Sequence, residues 1–410
     1  MAKSDIIAGL DMGSSRVTCV LAEHDAASDK VKILAGASMP CKGLKGGVVV
    51  NIAETQRAVA NVMEQAEEKA KEIVGEVYMG VRGGHIHTFN NRGAYNIARS
   101  DKEITAEDVA NVIETAKAIP VQSDREILHV IPQGFSLDRQ RGVPNPVGME
   151  GTLLEVSVHI VTAQISHINN ITKSVSQAGF RVLEPVYNLL AIGELVVSPE
   201  EKDLGCLLID IGGQTTAVGV YYEGSLRFSG EIPLGGDHVT RDIAYGLGTS
   251  MATAQEIKEK YGAVLSTLVE EDKALNITGL DARTKKEIKA RDLLEFVQPR
   301  TEEMFERINS FLQNSNSSDL PGGAIITGGG AMLKGMNEAA EQLLELKQAR
   351  SGFARPDLIE CPEEYFNQTY TSAVGLVCYP YLKPWANETA APRRPAMIPA
   401  SLWRWAKDLF

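Results

Sequence analysis

The chain has 410 residues, of which 44% are hydrophobic and 23% are charged, and its formal net charge is −12. The length allows about two to four domains, and the composition is that of an ordinary globular protein. The negative charge excludes nucleic acid as a partner and electrostatic adhesion of the whole body to an anionic membrane, because both need basic surface. Five scattered cysteines without a Cys-x-x-Cys pair predict reduced thiols in a cytosolic protein.

The first part of the chain predicts a sheet that is entered through a glycine hairpin. The predicted elements are, in order, the strands Ile6–Leu10, Val17–Glu23, Val31–Cys41 and Gly47–Val50, an amphipathic helix over Ile52–Val74 and a strand over Val77–Arg82. Between the first two strands, Asp11 is followed by Gly13, Ser14, Ser15 and Arg16. The N–H groups of such a turn can approach a phosphate closely, so this hairpin is a candidate phosphate site.

The block from Gly83 to Ala163 predicts a small α+β insertion. Thr105 is its predicted helix N-cap, and the helix is expected to run to about Ala118. The predicted strands cover Glu126–Ile131 and Leu153–Thr162. The dispersed histidines of this block are interpreted as structural; they are His85, His87, His129 and His159.

The stretch from Leu207 to Val220 repeats the strand, glycine hairpin and strand of the N-terminus. Asp210 ends the first strand, and the turn that follows consists of Gly212, Gly213, Gln214 and Thr215. Two such hairpins, separated by about half the chain, predict duplicated halves that face one cleft. A carboxylate at the position of Asp210 can hold Mg²⁺, directly or through water.

Two further glycine turns follow the second hairpin. The pair Gly235-Gly236 precedes a predicted helix with Asp237 as its N-cap. Gly328-Gly329-Gly330 follows a strand and is predicted to open a helix near Lys334, whose dipole would favour a nucleotide. Helices are also predicted over Ile165–Ala178, His238–Tyr245, Met251–Tyr261, Arg291–Leu312 and Tyr370–Tyr381. Arg181–Pro185 is predicted to be a strand that turns into a helix running to about Val197.

The C-terminal tail differs in composition from the rest. Residues 384–400 are rich in proline and alanine and predict an extended linker. On a helix of about 100° per residue, the apolar residues of 401–410 share one arc and the basic residues lie opposite. The apolar set is Leu402, Trp403, Trp405, Leu409 and Phe410, and the basic pair is Arg404 and Lys407. This pattern indicates a helix that lies on a membrane surface, and the alternative is that it docks on the protein itself.

The chain resembles a known superfamily in its two hairpins, in the helix after Glu184-Pro185 and in the turn Thr327-Gly328-Gly329-Gly330. These features resemble the superfamily of actin, sugar kinases and heat-shock-70 ATPases. The insertion and the tail narrow the resemblance to the FtsA family of bacterial cell-division proteins, and the segments that do so are 125–133, 145–151 and 153–162. The resemblance implies an α/β, actin-like fold, with ribonuclease-H-like duplicated halves around a nucleotide cleft and a small α+β inserted subdomain.

The resemblance also implies a division into subdomains. Subdomain 1A would comprise residues 1–83, 164–200 and 366–383, the inserted subdomain 1C residues 84–163, subdomain 2A residues 201–227 and 300–365, and subdomain 2B residues 228–299. The linker would be 384–400 and the membrane-targeting helix 401–410.

ATP and magnesium are the cofactors that the resemblance implies. The phosphates would lie between Asp11, Gly13, Ser14, Ser15 and Arg16 on one side and Asp210, Gly212, Gly213, Gln214 and Thr215 on the other, beside Gly235 and Gly236. The adenosine would contact Lys258, Glu259, Gly328, Gly329, Gly330 and Met332. Asp11 and Asp210 would hold magnesium through water, and Glu184 would orient the attacking water.

Three positions depart from the family pattern. Arg16 replaces a common lysine, Gln214 a usual glycine, and Ala217 an aspartate found in many relatives. Phosphoryl transfer depends on positioned groups, so we expect ATP binding with at most weak hydrolysis.

The expected function is that of a peripheral protein on the cytoplasmic side of the cell membrane at the division site. It would polymerise, bind the C-terminal tail of the ring protein FtsZ, and recruit later division proteins. Arg300, Lys289 and Arg291 are the candidate FtsZ contacts. A sugar kinase or an actin-like pilus-assembly protein are the alternatives, and neither requires the aromatic and basic tail.

Overall fold

The computed structural model describes residues 6–269, 273–281, 283–314 and 320–382. Its strands are β1 (Ile6–Met12), β2 (Arg16–Asp25), β3 (Lys30–Pro40), β4 (Leu44–Lys45), β5 (Val48–Val49), β6 (Glu76–Val81), β7 (Ile86–Asn96), β8 (Arg125–Leu137), β9 (Gln140–Val143), β10 (Leu153–Gln164), β11 (Arg181–Tyr187), β12 (Cys206–Ile211), β13 (Thr216–Tyr222), β14 (Ser225–Ile232), β15 (Ala274–Thr278), β16 (Lys285–Lys289), β17 (Ala324–Thr327), β18 (Ala349–Ser351) and β19 (Ile359–Glu360). Its α-helices are α1 (Ile52–Ala70), α2 (Ala106–Lys117), α3 (Ile165–Gln177), α4 (Asn188–Val196), α5 (Pro199–Leu204), α6 (Gly236–Leu247), α7 (Met251–Tyr261), α8 (Leu294–Asn314), α9 (Met336–Leu343) and α10 (Thr371–Leu382). Among these helices, none combines the length and the hydrophobicity needed to cross a membrane.

Two large sheets repeat one topology. Their strand orders are β11-β6-β1-β2-β3-β19 and β14-β13-β12-β17-β18. In each, an antiparallel meander of three strands has a parallel neighbour beside its first strand. Asp11 pairs with Thr18 in the first sheet, and Asp210 pairs with Ala217 in the second. The two aspartates therefore occupy equivalent positions, and the predicted duplication is confirmed.

Helix α1 covers one face of the first sheet and shows how these helices are built. Asn51 caps its N-terminus by accepting a hydrogen bond from the backbone N–H of Glu54. Its buried face includes Val59, Val62 and Met63, as the helical spacing predicts. The helix ends at Ala70, four residues before the predicted end, because Lys71 adopts a left-handed φ of 58°.

The insertion is a four-stranded sheet, β7-β10-β8-β9, with α2 on one face and a hydrophobic core of its own. Thr105 caps α2 as predicted, because its side chain accepts from the N–H of Asp108 and the carboxylate of Asp108 accepts from the N–H of Thr105. The chain enters on β7 and leaves on β10, where Ile86 pairs with Ala163.

The insertion also contacts the second half of the molecule, along β14. Thr88 Oγ1 donates to the carbonyl of Ser229 at 2.5 Å, and Gln133 Nε2 donates to the carbonyl of Leu226 at 2.9 Å. His159 Nε2 lies 2.8 Å from Ser229 Oγ. A subdomain that is covalently part of the first half is thus bonded to the second.

Three predicted helix starts are wrong. Helix α6 has Gly235 at its N-cap, so Asp237 lies in the first turn instead. A 3-10 turn over Ala290–Leu293 delays α8 to Leu294. The triple glycine leads into a 3-10 turn over Gly329–Met332, and α9 begins only at Met336, so the dipole of that helix does not start at the glycines.

Candidate functional site

The two predicted phosphate hairpins meet across the cleft between the halves. The hydroxyl of Ser15 donates a 2.6 Å hydrogen bond to Asp237 Oδ2. The N–H of Gly46 donates to Gln214 Oε1 at 3.0 Å. A Cβ at Gly213 would lie 1.7 Å from Ser15 Oγ, so only glycine allows this approach. Gln214, which departs from the family pattern, thereby joins the two halves.

The glycine turns of the second half pack around Asp210. The N–H of Gly236 donates to the carbonyl of Gly212 at 2.9 Å, and the N–H of Asp237 donates to the carbonyl of Gly213 at 2.7 Å. A Cβ at Gly328 would lie 2.3 Å from Asp210 Oδ1. The structure therefore brings the second hairpin, the Gly235 turn and the triple glycine to one place.

The predicted adenosine residues adjoin these turns from α7 and from the triple glycine. Lys258 Nζ donates to the carbonyl of Gly236 at 3.0 Å, and burial lowers the pKa of Lys258. Glu259 is exposed and accepts a hydrogen bond from Gln255. Met332 is 59% exposed. Lys258 thus contacts the glycine turns, while the side chains of Glu259 and Met332 are exposed to solvent.

Two predicted site residues make contacts away from the glycine turns. Arg16 Nε and Nη2 donate to the hydroxyl and the carbonyl of Ser38 on β3, at 2.9 and 3.0 Å. Glu184 accepts a 3.4 Å hydrogen bond from the hydroxyl of Tyr379. Its backbone pairs with Tyr78, two positions before the level of Asp11 in the sheet. The roles proposed for Arg16 and Glu184 stay predictions.

Asp11 and Asp210 contact two residues that were not predicted from the sequence. Asn188 Nδ2 donates to Asp11 Oδ1 at 2.7 Å. Arg82 Nη1 lies 2.9 Å from Asp210 Oδ2, in an ion pair whose side chains are 6% and 1% exposed. The position of Arg82 in the sequence could have indicated its role. Arg82 directly follows β6, and the carboxyl ends of parallel strands meet at one edge of a sheet.

Burial and neighbouring charges both shift the pKa values of this centre. Burial raises the pKa of Asp11 to about 6 and that of Glu231 to about 7. Burial also acts to lower the pKa of Arg82, but the charges of Asp210, Glu231 and Asp11 outweigh it and raise that pKa. One guanidinium therefore balances three carboxyl groups.

The centre fits a hydrated magnesium ion better than a bare one. No group of three or more His, Cys, Asp or Glu side chains in the described residues could hold a metal. Asp210 Oδ1 and Asn188 Oδ1 are buried and accept no hydrogen bond from the described part of the chain. Magnesium is usually held by one or two carboxylates, with water and substrate phosphate completing its shell. These oxygens suit that arrangement.

A second concave surface lies between α6 and α8. It encloses about 340 Å³ and is lined by Asp242, Tyr245, Gly246, Glu295, Phe296, Pro299, Arg300 and Glu303. Tyr245 is 92% exposed. Of the three predicted FtsZ contacts, Arg300 lines this cleft, whereas Lys289 and Arg291 do not. Arg300 presents no free charge, because Asp242 accepts from its Nε at 2.6 Å and Glu303 accepts from its Nη1.

Comparison with known proteins identifies the family. The model of "Cell division protein FtsA" matches residues 207–375, and the model of "SHS2 domain inserted in FTSA" matches residues 83–162. FtsA from Pseudomonas aeruginosa is 33% identical over 377 residues, covering 91% of this chain and 89% of that protein. The chain belongs to the FtsA family. It is therefore an actin-like cell-division protein.

Solved structures confirm the actin-like fold of this FtsA-family chain. The PilM–PilN complex of type IV pilus biogenesis has a TM-score of 0.66 at 16% identity, covering 92% of this chain and 99% of that one. MreB5 of Spiroplasma citri, bound to ADP, has a TM-score of 0.53 at 11% identity, covering 91% and 95%. At these identities the likeness concerns the fold alone. It therefore does not support the alternative of a pilus-assembly protein over membership of the FtsA family.

The predicted membrane residues lie outside the described residues. They are Leu402, Trp403, Arg404, Trp405, Lys407, Leu409 and Phe410.

Proposed function

We propose that this chain is an ATP-binding, actin-like adaptor that tethers the FtsZ ring to the inner face of the cytoplasmic membrane. The observation that carries this proposal is the meeting of two glycine hairpins across a cleft, in a member of the FtsA family. The chain would assemble with copies of itself and recruit later division proteins. Its place would be the cytoplasmic side of the membrane at the division site.

The cleft would bind ATP with magnesium. Backbone N–H groups of the hairpins would hold the phosphates, and Lys258 would adjoin the adenosine. Asp11 and Asp210 would hold magnesium through water, and this ion would neutralise phosphate charge. The MreB5 structure, a protein of the same fold, contains ADP.

Hydrolysis would be slow at best. Asp210 pairs with Ala217 on the next strand, a side chain that cannot order water. Glu184 contacts Tyr379, two sheet positions before the level of Asp11. Without a positioned group beside the phosphates, nucleotide would serve mainly to close the two halves on one another.

The α6–α8 cleft would receive the FtsZ tail. Tyr245 and Phe296 offer aromatic surface, and three acidic residues of the lining, Asp242, Glu295 and Glu303, surround one arginine. FtsZ tails typically end in mixed acidic and basic residues. An apolar anchor on Tyr245 and a basic residue on the acidic rim would suit such a peptide.

The C-terminal helix would attach the protein to the membrane. A single ten-residue amphipathic helix binds weakly, and self-association would add avidity by joining many anchors. Trp385 belongs to the predicted linker and Trp403 to the predicted helix, so the chain offers a matched pair of tryptophans.

Co-sedimentation with anionic lipid vesicles, with and without FtsZ and ATP, tests the proposal. The parent protein should pellet with vesicles and carry FtsZ with it. Trp403→Glu should stay in the supernatant, whereas Trp385→Glu should pellet like the parent. If Trp403→Glu pellets normally, the tail is not the anchor. If the parent pellets but leaves FtsZ behind, the adaptor role is wrong.

A further inference from the structure

Arg82 lies where the two halves of the molecule meet. It follows β6 in the first half, and its guanidinium contacts the second hairpin. Nη2 donates to the carbonyls of Asp210 and Thr215, and Nε donates to Thr215 Oγ1, each at 3.3 Å. A Cβ at Gly212 would lie 2.8 Å from Nη2, so the guanidinium packs directly on the glycine turn.

These contacts leave the guanidinium able to change partner. The 2.9 Å ion pair with Asp210 is short, while the three hydrogen bonds are at the long end of the normal range. A buried guanidinium needs an anion beside it, and a phosphate offers the same two-oxygen geometry as a carboxylate. A cation brought to Asp210 with a nucleotide would repel Arg82 from that carboxylate.

The order of the predicted site residues along the cleft indicates which phosphate of a nucleotide Arg82 would contact. Lys258 and Met332, which are proposed to contact the adenosine, lie next to Gly236 and in the turn of the triple glycine. Arg82 lies among Asp11, Asp210 and Glu231, where strands β1 and β12 end. A nucleotide laid between these two ends would direct its terminal phosphate at the aspartates.

We propose that Arg82 exchanges Asp210 for the terminal phosphate of a bound nucleoside triphosphate, and so makes the cleft distinguish ATP from ADP. The proposal rests on the proposed nucleotide function. ADP lacks the phosphate that would accept from Arg82, so Arg82 would remain on Asp210 in the ADP complex. The residue would therefore contribute to the affinity for ATP and little to the affinity for ADP.

Titration calorimetry of the full chain with ATP and with ADP, in the presence of magnesium, tests this exchange. Arg82→Gln should lower the affinity for ATP by about tenfold to a hundredfold, the effect of one charged hydrogen bond, and change the affinity for ADP little. Arg82→Lys keeps the charge without the planar fork and should fall between the parent and Arg82→Gln. Arg181→Gln, which removes an exposed arginine paired with Glu76, should bind both nucleotides like the parent.

The possible outcomes separate this proposal from the proposed function. If the parent binds neither nucleotide, the nucleotide function fails and the proposal fails with it. If Arg82→Gln lowers the two affinities equally, or raises the affinity for ATP, the arginine serves only to pair with Asp210 and the proposal is overturned. If Arg82→Gln does not fold, Arg82→Lys decides, because an unchanged ratio of ATP to ADP affinity in that variant overturns the proposal.

Discussion

Ser15 and Asp237 are 222 residues apart in the chain, yet the hydroxyl of Ser15 donates a 2.6 Å hydrogen bond to the carboxylate of Asp237. The first residue belongs to the hairpin of one half, and the second lies in the opening turn of α6 in the other half. The bond therefore joins the two halves at the hairpin of Ser15.

Ser15→Ala should loosen this connection between the halves. Loss of one hydrogen bond to a charged, partly exposed carboxylate should cost about 1 kcal/mol, or roughly fivefold in opening. Amide hydrogen exchange in both hairpins of the nucleotide-free protein should accelerate by that factor. Ser28→Ala removes a similar Ser–Asp bond within one surface loop, at 2.7 Å, and should leave the hairpins unaffected. Equal exchange in Ser15→Ala and the parent would contradict this role of the bond.

Asp210→Ala should destabilise the protein as well as weaken Mg-ATP binding. It leaves the buried guanidinium of Arg82 without its ion-pair partner, which typically costs about 3–5 kcal/mol of the free energy of unfolding. Urea denaturation without nucleotide measures this cost. Replacing both partners, as Arg82→Met with Asp210→Leu, should recover part of it. Unchanged ATP affinity by calorimetry in Asp210→Ala would refute its role in the cleft.

Tyr245→Ser should weaken binding of an FtsZ tail peptide, because it removes the most exposed aromatic side chain of the α6–α8 cleft. A central aromatic anchor is worth about 2 kcal/mol or more, so the loss should reach about thirtyfold in fluorescence anisotropy. Tyr222→Ser, at an exposed tyrosine on β13, is the matched control. Arg300→Glu should also weaken binding, because it replaces the ion pair that links α8 to Asp242 of α6 by a repulsion and so disturbs the shape of the cleft. Normal binding by both cleft variants would place the tail site elsewhere.

Acid should weaken the contact between the insertion and β14. Burial lowers the pKa of His159 from 6.5 to about 4, so the folded protein keeps this ring neutral. Between these values the unfolded chain takes up a proton that the folded chain does not. The free energy of unfolding should therefore fall as the pH falls from about 6.5 to about 4, by on the order of 3 kcal/mol from this group.

Urea denaturation of His159→Gln across this range measures the effect. The variant should be less stable than the parent at pH 7.5, and the difference should shrink as the solution is acidified. His87→Gln, at an exposed position of the same sheet, should follow the parent curve. A constant difference at all pH values would mean that His159 does not titrate as its burial requires.

Deleting residues 84–163 should remove self-assembly and keep nucleotide binding. The deletion is feasible because Ile86 and Ala163 pair on neighbouring strands, so a short connection can close the gap. Electron microscopy on lipid monolayers should show no filaments of the shortened chain, while calorimetry should still detect ATP binding. Filaments of normal length would refute the role of the insertion in assembly.

Much of the fold could be predicted because it follows from local patterns. The glycine hairpins after Asp11 and Asp210, the cap at Thr105 and the helical spacing of α1 all act within a few residues of sequence. The partners of the aspartates could not be predicted in this way. Arg82 and Asp210 are 128 positions apart, and Asn188 and Asp11 are 177 apart. Arg82 reaches Asp210 because the two halves meet at the cleft, and Asn188 reaches Asp11 because β11 and β1 lie in the same sheet.

The hydrogen bonds from the insertion to β14 restrict how the two halves can move. Ser229 is held by Thr88 and His159, and two residues further along the same strand Glu231 faces Arg82. These contacts join the two halves at β14, so a movement of the halves apart at this strand would break them. We therefore expect a rotation that opens the hairpins to move the insertion as well. A partner that binds the insertion would thus bind differently to the open and the closed cleft.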